Sequence, residues 1–111
     1  MHRQLDKAAA QLKALGHPVR LSVLRCVVQG PEAGTPAGDL QSVLAIPAST
    51  LSHHLATLAE AGLVTVGREG TTLRYRAEYD TLRALTDYLW QDCCSGGRHA
   101  DPKAPPCCGR D

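Results

Sequence analysis

The amino-acid sequence predicts an α+β fold that is mainly helical, and three observations lead to this class. Apolar residues recur at helical spacing through most of the chain, whereas the stretch over residues 63–77 alternates as β-strands do. Phe is absent, so Leu, Val and Ala must form the core, and such a core suits helices. With 111 residues the chain has room for one small domain with a modest core, so help from a partner subunit is expected.

Two helices are predicted in the first part of the chain. The first covers residues 3–15 and ends at Gly16, and its apolar positions are three or four residues apart. The second begins at Pro18, a residue suited to the first turn of a helix, and runs to about Gln29. The segment GPEAGTP that follows is predicted to be a loop, because Gly and Pro interrupt regular structure.

Two further helices are joined by a tight turn. The segment AGDLQSVLAI predicts a short helix and PASTLSHHLATLAEAG a longer one that ends at Gly62, with the break near residues 45–47. This arrangement is a helix-turn-helix. A β-hairpin, or wing, is predicted next, with alternating positions at Leu63, Thr65, Gly67, Leu73, Tyr75 and Ala77. A last amphipathic helix, YDTLRALTDYLWQD, completes a winged helix-turn-helix.

The longer helix of this pair has the character of a DNA-reading helix. Leu51, Leu55 and Leu58 share its apolar face, while short polar side chains that could reach base edges lie near its start. Arginines of the adjoining wing could hold phosphates. The predicted DNA-binding residues are Ser49, Thr50, Ser52, His53, His54, Arg68, Thr71 and Arg74. The alternative is that Ser49 and Thr50 only cap the helix and that the histidines are solvated or packed in the core.

Three segments, LKALGHPVRLSVLR, STLSHHLATLAEAGLV and REGTTLRYR, resemble in order and spacing the ArsR/SmtB family of winged-helix metal-sensing repressors. The resemblance covers roughly residues 5–90. It implies that the first and last helices form a homodimer interface, that two recognition helices bind a palindromic double-stranded operator, and that ligand binding releases the DNA. One departure is Pro47, where many members have a serine N-cap.

Four of the five cysteines follow the last predicted helix, namely Cys93, Cys94, Cys107 and Cys108. Thiolates are soft ligands, so this group is expected to bind a metal or metalloid ion. Three thiolates suit As(III) or Sb(III), and four suit tetrahedral zinc or cadmium. Some family members resemble this arrangement, with a vicinal pair and one downstream cysteine. The alternatives are incidental thiols in a disordered tail, or disulfides formed on oxidation.

Neither of two other metal sites of the family is expected in this chain. Where many arsenic-sensing members carry a cysteine box, this sequence reads GTPAGDL, and the last helix lacks the histidines through which zinc-sensing members bind metal. The fifth cysteine, Cys26, lies among apolar residues and is predicted to belong to the core.

Together these features predict a homodimeric repressor with a DNA-binding and dimerisation domain at residues 1–92 and a flexible Cys-rich tail at residues 93–111. As(III) or Sb(III) is the expected inducer, without a catalytic cofactor. A redox- or sulfide-responsive repressor, or one that responds to Cd(II) or Zn(II), is the alternative. An enzyme or metallochaperone is disfavoured because the sequence has no C-x-x-C motif. The N-terminus lacks the pattern of a signal peptide or membrane span, so a cytoplasmic location is expected.

Overall fold

The computed structural model describes residues 3–91, which form five α-helices and a three-stranded antiparallel sheet of order β1-β3-β2. In chain order the elements are α1 (Arg3–Leu15), α2 (Pro18–Gln29), β1 (Thr35–Pro36), α3 (Ala37–Leu44), α4 (Ala48–Glu60), β2 (Val64–Glu69), β3 (Thr72–Ala77) and α5 (Tyr79–Trp90). The predicted fold class, a mainly helical winged helix-turn-helix, is confirmed.

The first two helices begin and end where the sequence predicts. α1 stops at Leu15, just before Gly16. α2 starts after His17, whose Nδ1 accepts a hydrogen bond from the Val19 N–H at 3.1 Å. Pro18 occupies the first turn, where a missing N–H leaves no hydrogen bond unmade. Local capping chemistry therefore sets this helix start.

The turn between α3 and α4 falls at residues 45–47, as predicted. Ala45 closes α3 in the left-handed conformation with φ 55° and ψ 45°, and its N–H donates to the Gln41 carbonyl at 2.8 Å. α4 begins after Pro47, whose carbonyl accepts a hydrogen bond from the Leu51 N–H at 3.0 Å. Proline has no polar side-chain atom, so α4 begins without a side-chain cap.

The hydrophobic core lies between α2, α3, α4 and the base of the hairpin. On α4, the side chains of Leu51, Leu55 and Leu58 are buried in this core, which confirms the predicted apolar face. Residues three and four apart lie on the same side of a helix, so this row fixes the rotation of α4 about its axis. The largest fully buried side chains are Leu40, Leu55, Leu58, Leu63, Val23, Val27 and Val64.

The hairpin of β2 and β3 joins the core only at its base. Leu63 and Val64 are both buried, whereas every later residue of β2 is exposed. The predicted alternation through Thr65 and Gly67 is therefore wrong, because β2 projects from the domain into solvent beyond Val64. The two strands pair in antiparallel register from Val64↔Ala77 to Glu69↔Thr72.

The segment GPEAGTP, predicted as a loop, contains the short strand β1. Its antiparallel register with β3 is Thr35↔Tyr75 and Pro36↔Arg74. Two residues are too few for an alternating pattern to appear in a sequence. Gly34, just before β1, has φ +109°, and a Cβ at this position would lie 3.0 Å from both Arg74 Cβ and Arg76 Cγ. This glycine allows the loop to lie against the wing.

α1 and α5 lie side by side and line one groove with Ala8, Gln11, Leu85 and Tyr88 among its walls. Leu85 is buried within the protomer, whereas Leu89 is 55% exposed and Trp90 is 60% exposed. The predicted apolar row of α5 is thus divided between the interior and the surface. Leu5 and Leu12 of α1 are also exposed. Within residues 3–91, the helices are too short or too polar to span a lipid bilayer.

Replacing Gly34 by alanine should destabilise the protein, whereas Gly38→Ala on α3 should not. Alanine at position 34 would have a strained backbone and crowd two arginine side chains, at a cost on the order of 1–3 kcal/mol. An added Cβ at Gly38 meets nothing within 4 Å, and alanine favours a helix by up to about 1 kcal/mol. Urea unfolding followed by circular dichroism measures both effects. Equal stability of the Gly34→Ala and wild-type proteins would contradict the assigned backbone role.

Candidate nucleic-acid interface

The side of α4 that faces away from the core is polar. Ser49, Thr50, Ser52 and His53 lie in the first half of this helix and are all exposed. Within the described chain, their side chains form no hydrogen bonds with other residues. Ser49 and Thr50 lie inside the helix and do not cap it. Their hydroxyl groups are therefore available as donors and acceptors for an external partner.

The backbone at the start of α4 faces the same solvent. The first N–H groups of a helix have no acceptor within that helix, and no side chain of residues 3–91 caps the start of α4. Ala48, Ser49 and Thr50, which carry these groups, are exposed. Because the helix dipole places partial positive charge at this end, the start of α4 is suited to contact an anionic phosphate.

His54 is the exception among the predicted DNA-binding residues of α4. It is 7% exposed, its Nδ1 lies 3.5 Å from Nη1 of Arg20, and its ring centroid lies 4.8 Å from that of His17. Burial lowers the pKa of His54 below its ordinary value of 6.5, and the neighbouring His17, Arg20 and His53 lower it further. The His54 ring lies on the core side of α4, too deep to reach a base. His54 is therefore not expected to contact DNA directly.

The wing presents two of its predicted residues at its tip. Arg68 and Thr71 are exposed around Gly70, which turns the chain with φ +64°. Arg74 is placed differently: its Nε forms an ion pair with Glu69 at 2.6 Å, and its Nη1 donates to the Gly34 carbonyl at 3.1 Å. The guanidinium of Arg74 therefore holds the wing and its adjoining loop together, and its predicted phosphate contact stays a prediction.

Two further arginines complete this framework: Arg20, which the sequence prediction omits, and Arg76, one of the wing arginines expected to hold phosphates. Arg20 Nε donates to the Ala14 carbonyl at 2.6 Å, so the residue connects the end of α1 with His54. Arg76 Nε donates to the Glu32 carbonyl at 3.0 Å and ties the same loop to β3. The Arg20–His54 and Arg76–Glu32 contacts join residues 34 and 44 positions apart. Local spacing in the sequence gives no signal for contacts of this range.

The cysteines fall into two groups. Cys93, Cys94, Cys107 and Cys108, the predicted metal ligands, lie outside the described residues. Cys26 is partly buried and packs against the hydrophobic core, as predicted. From residue 3 to residue 91, no three His, Cys, Asp or Glu side chains come close enough together to hold a metal ion.

Comparison with known proteins places this fold among transcriptional regulators. Residues 15–67 match a family described as a helix-turn-helix domain. The chain is 36% identical to the HTH-type transcriptional regulator YgaV of Escherichia coli strain K12, over 80% of this chain and 88% of that protein.

Two solved structures of described or possible transcriptional regulators have a similar fold. The homodimeric winged helix-turn-helix DNA-binding domain Mb0332 of Mycobacterium bovis, a possible ArsR-family regulator, has a TM-score of 0.66 at 28% identity, covering 78% of this chain and 85% of that chain. A possible transcriptional regulator for arsenical resistance has a TM-score of 0.60 at 32% identity, covering 74% and 85%. With its helix-turn-helix, its wing and the polar outer face of α4, the chain belongs to the ArsR/SmtB family of winged-helix transcriptional regulators, which are DNA-binding proteins and not enzymes.

Proposed function

We propose that this regulator is a repressor that binds operator DNA as a homodimer and leaves it when As(III) or Sb(III) binds thiolates of its C-terminal segment. The observation that carries the DNA-binding part is the unpaired polar face of α4 beside the exposed tip of the wing. The inducer part rests on the four clustered cysteines of the sequence. DNA binding and release would then be separate functions of two segments, residues 1–92 and 93–111.

In this proposal α4 enters the major groove. Its 13 residues give it a length of about 20 Å, and its polar face is on the side away from the core. Ser49, Thr50 and Ser52 have hydroxyls that donate or accept, and His53 offers a ring nitrogen, so these four side chains would contact base edges. His54 would support the helix without touching DNA.

Phosphate contacts would fix the position of α4 in the groove. The free N–H groups at the start of α4 supply one such contact, and Arg68 with Thr71 at the wing tip supplies another. Arg74 would act indirectly, by holding the wing at the correct angle to α4. A net charge of +1 is compatible with DNA binding because the cations that contact phosphates can be grouped locally, as at the wing tip.

Dimerisation would cover the apolar surface of the outer helices. Leu89 and Trp90 of α5, with Leu5 and Leu12 of α1, expose hydrophobic area that a protomer does not bury. Each Å² of such area removed from water stabilises a complex by about 25 cal/mol. The homodimeric state of Mb0332 supports this assignment. A two-fold dimer would present two α4 helices to half-sites about 34 Å apart.

The proposed inducer site begins at the end of α5. Cys93 follows Trp90, the last residue of the helix, by three positions, and Cys94 is adjacent. Cys107, Cys108 or both would complete a set of soft thiolate ligands. Ligation there would change how two α5 helices pack and so misalign the two α4 helices with their half-sites. A similar protein described as a possible regulator for arsenical resistance supports this choice of ion.

The proposed compartment is the cytoplasm. A repressor must reach DNA, and its sensing thiols must stay reduced until the inducer arrives. Cytosolic thiols are largely kept reduced, so this compartment meets both needs.

Ser52→Ala and His53→Ala should each weaken DNA binding about 5- to 150-fold, because a good base contact contributes about 1–3 kcal/mol. Fluorescence anisotropy with a duplex selected from a random pool by the wild-type protein measures the change. Ser22→Ala, an exposed serine of α2, is the matched control and should bind normally. If both α4 variants fold and bind as tightly as the control, a different surface reads DNA.

Leu89→Glu should convert a homodimer to monomers, because a carboxylate would replace an exposed apolar side chain at the proposed interface. Sedimentation at micromolar concentration measures the mass. Val43→Glu on α3, where the side chain is 71% exposed, is the control and should remain dimeric. Leu85→Glu is unsuited to this test because Leu85 is buried within the protomer and its substitution would unfold it. A monomeric wild-type protein would refute the proposed assembly.

Cys93→Ser and Cys94→Ser should bind the selected duplex normally but lose release by arsenite, since each removes one thiolate from the site. Cys26→Ser, the control, should retain both binding and release because Cys26 packs against the core. The readout is duplex anisotropy during titration of the reduced protein with arsenite, antimonite, Cd(II), Zn(II) or an oxidant. Release by an oxidant or by Cd(II), with no response to arsenite, would replace the arsenic assignment by the corresponding alternative.

A further inference from the structure

Three imidazoles and one guanidinium lie close together at the recognition helix: His17, His54 and Arg20 on its core side, and His53 on its exposed side. The ring centroid of His54 is 4.8 Å from that of His17 and 5.6 Å from that of His53. Arg20 reaches His54 with Nη1 at 3.5 Å and the last turn of α1 with Nε at 2.6 Å from the Ala14 carbonyl oxygen. This cluster therefore connects α1, the start of α2 and α4.

The hydrogen-bond geometry fixes the protonation state of two of these rings. Nδ1 of His54 faces Arg20, and Nδ1 of His17 faces the Val19 N–H at 3.1 Å. A guanidinium and a backbone N–H are donors only, so each facing Nδ1 must act as an acceptor. Both rings are therefore neutral in this arrangement, with the hydrogen on Nε2. A proton added at either Nδ1 would place two donors against each other.

We propose that His54 is a proton-sensitive positioning residue: in its neutral form it holds α4 in the orientation that binds DNA, and its protonation loosens α4 and weakens operator binding. The inference rests on the proposed role of α4 in DNA contact. It adds a second regulating ion, the proton, that acts without the cysteines.

Titratable and charged groups face His54 from more than one element. Arg20 comes from α2, His17 precedes α2, and His53 is its neighbour on α4. Lys13 of α1 and Glu60 of α4 line the cavity beside Arg20. β2, which also packs against α4, carries its charged residues, Arg68 and Glu69, at its far end. Glu60 is thus the one carboxylate among the groups named near this cluster.

The direction of the pH effect follows from burial. The folded protein lowers the pKa of His54 below 6.5, so the unfolded chain takes up this proton at a higher pH than the folded chain. Stability from the neutral ring is complete above pH 6.5, falls as the pH drops toward the folded pKa, and levels off below it. If DNA binds only the neutral form, affinity should fall about tenfold for each pH unit below the pKa of the free protein.

His53 would change DNA binding in the opposite direction. Its ring is exposed on the DNA-facing side, so a proton there adds positive charge toward the phosphates and strengthens binding. An experiment on His54 must therefore remove this second titration. His17 must also be replaced, by asparagine, which retains the ability to cap α2 without titrating.

The test compares the His17→Asn/His53→Gln protein with the same protein carrying His54→Gln in addition. Anisotropy of the selected duplex is measured from about pH 7.5 to about pH 5 at constant ionic strength, the range in which histidines titrate. The first protein should lose affinity by about one decade per pH unit below the pKa of His54, and the second should lose less than about threefold over the whole range. Equal pH dependence in both proteins, or none in the first, would overturn the proposal.

Imidazole NMR of the full-length wild-type chain tests the same proposal without DNA. We expect His54 to be the Nε2–H tautomer at neutral pH and to have a pKa below 6.5, the ordinary value for histidine. An Nδ1–H tautomer, or a pKa of His54 at or above 6.5, would overturn the proposal even if a variant failed to fold. Failure of the wild-type protein to select any duplex would instead reject the DNA-binding role of α4, and the NMR result would still decide the state of His54.

Discussion

Burial of Leu51, Leu55 and Leu58 determines which side of α4 is available to DNA. These leucines enter the space between α2 and α3, where Val23 and Leu40 are fully buried. A helix has only one orientation that buries such a row, and Ser52, His53 and Ala56 then face outward. Truncating one buried leucine to alanine typically costs 2–5 kcal/mol, a large part of the stability of a small domain. The same leucine contacts therefore stabilise the domain and keep the polar face of α4 exposed.

The wing depends on a different kind of contact. Arg74 and Arg76 donate to backbone carbonyls of the loop before β1, at Gly34 and Glu32. Hydrogen bonds from a charged donor are stronger than those between neutral groups. They hold a strand of two residues and a projecting hairpin in one arrangement, although little apolar area is buried there. Arginines at the base of the wing thus have a structural role, and Arg68 at the tip remains open to solvent.

Features that depend on neighbours along the chain could be predicted from the sequence. The helix bounds at Leu15 and Pro18, and the end of α4 at Glu60, two residues before Gly62, could be predicted from periodicity, Pro and Gly, because capping and backbone restriction act within a few residues. The spacing also carries a signal for the burial of His54, which lies three residues after Leu51 and four before Leu58 and so shares their side of the helix. The spacing gives no signal for its partner Arg20, 34 positions away.

The same limit applies to the wing. β1 is too short for its pattern to be visible, and Arg74 could be recognised as a cation but not as the partner of Gly34 and Glu69. The alternating pattern of the hairpin assigns the wrong residues to its inward face, because Leu63 and Val64 are consecutive and both buried. A strand pattern assumes a covered face, and β2 has one only at its first residue.

Pro47 affects both the stability of the free protein and its affinity for an anion at the start of α4. A serine in this place could satisfy an N–H of the first turn within the free protein, at a typical gain of about 1 kcal/mol. With proline, a water molecule or a bound anion must accept the hydrogen bonds of that turn. Part of the favourable energy of α4 is therefore realised only in a complex. At this position, a residue that caps the helix would stabilise the free protein, whereas proline leaves the N–H groups to bind a polyanion.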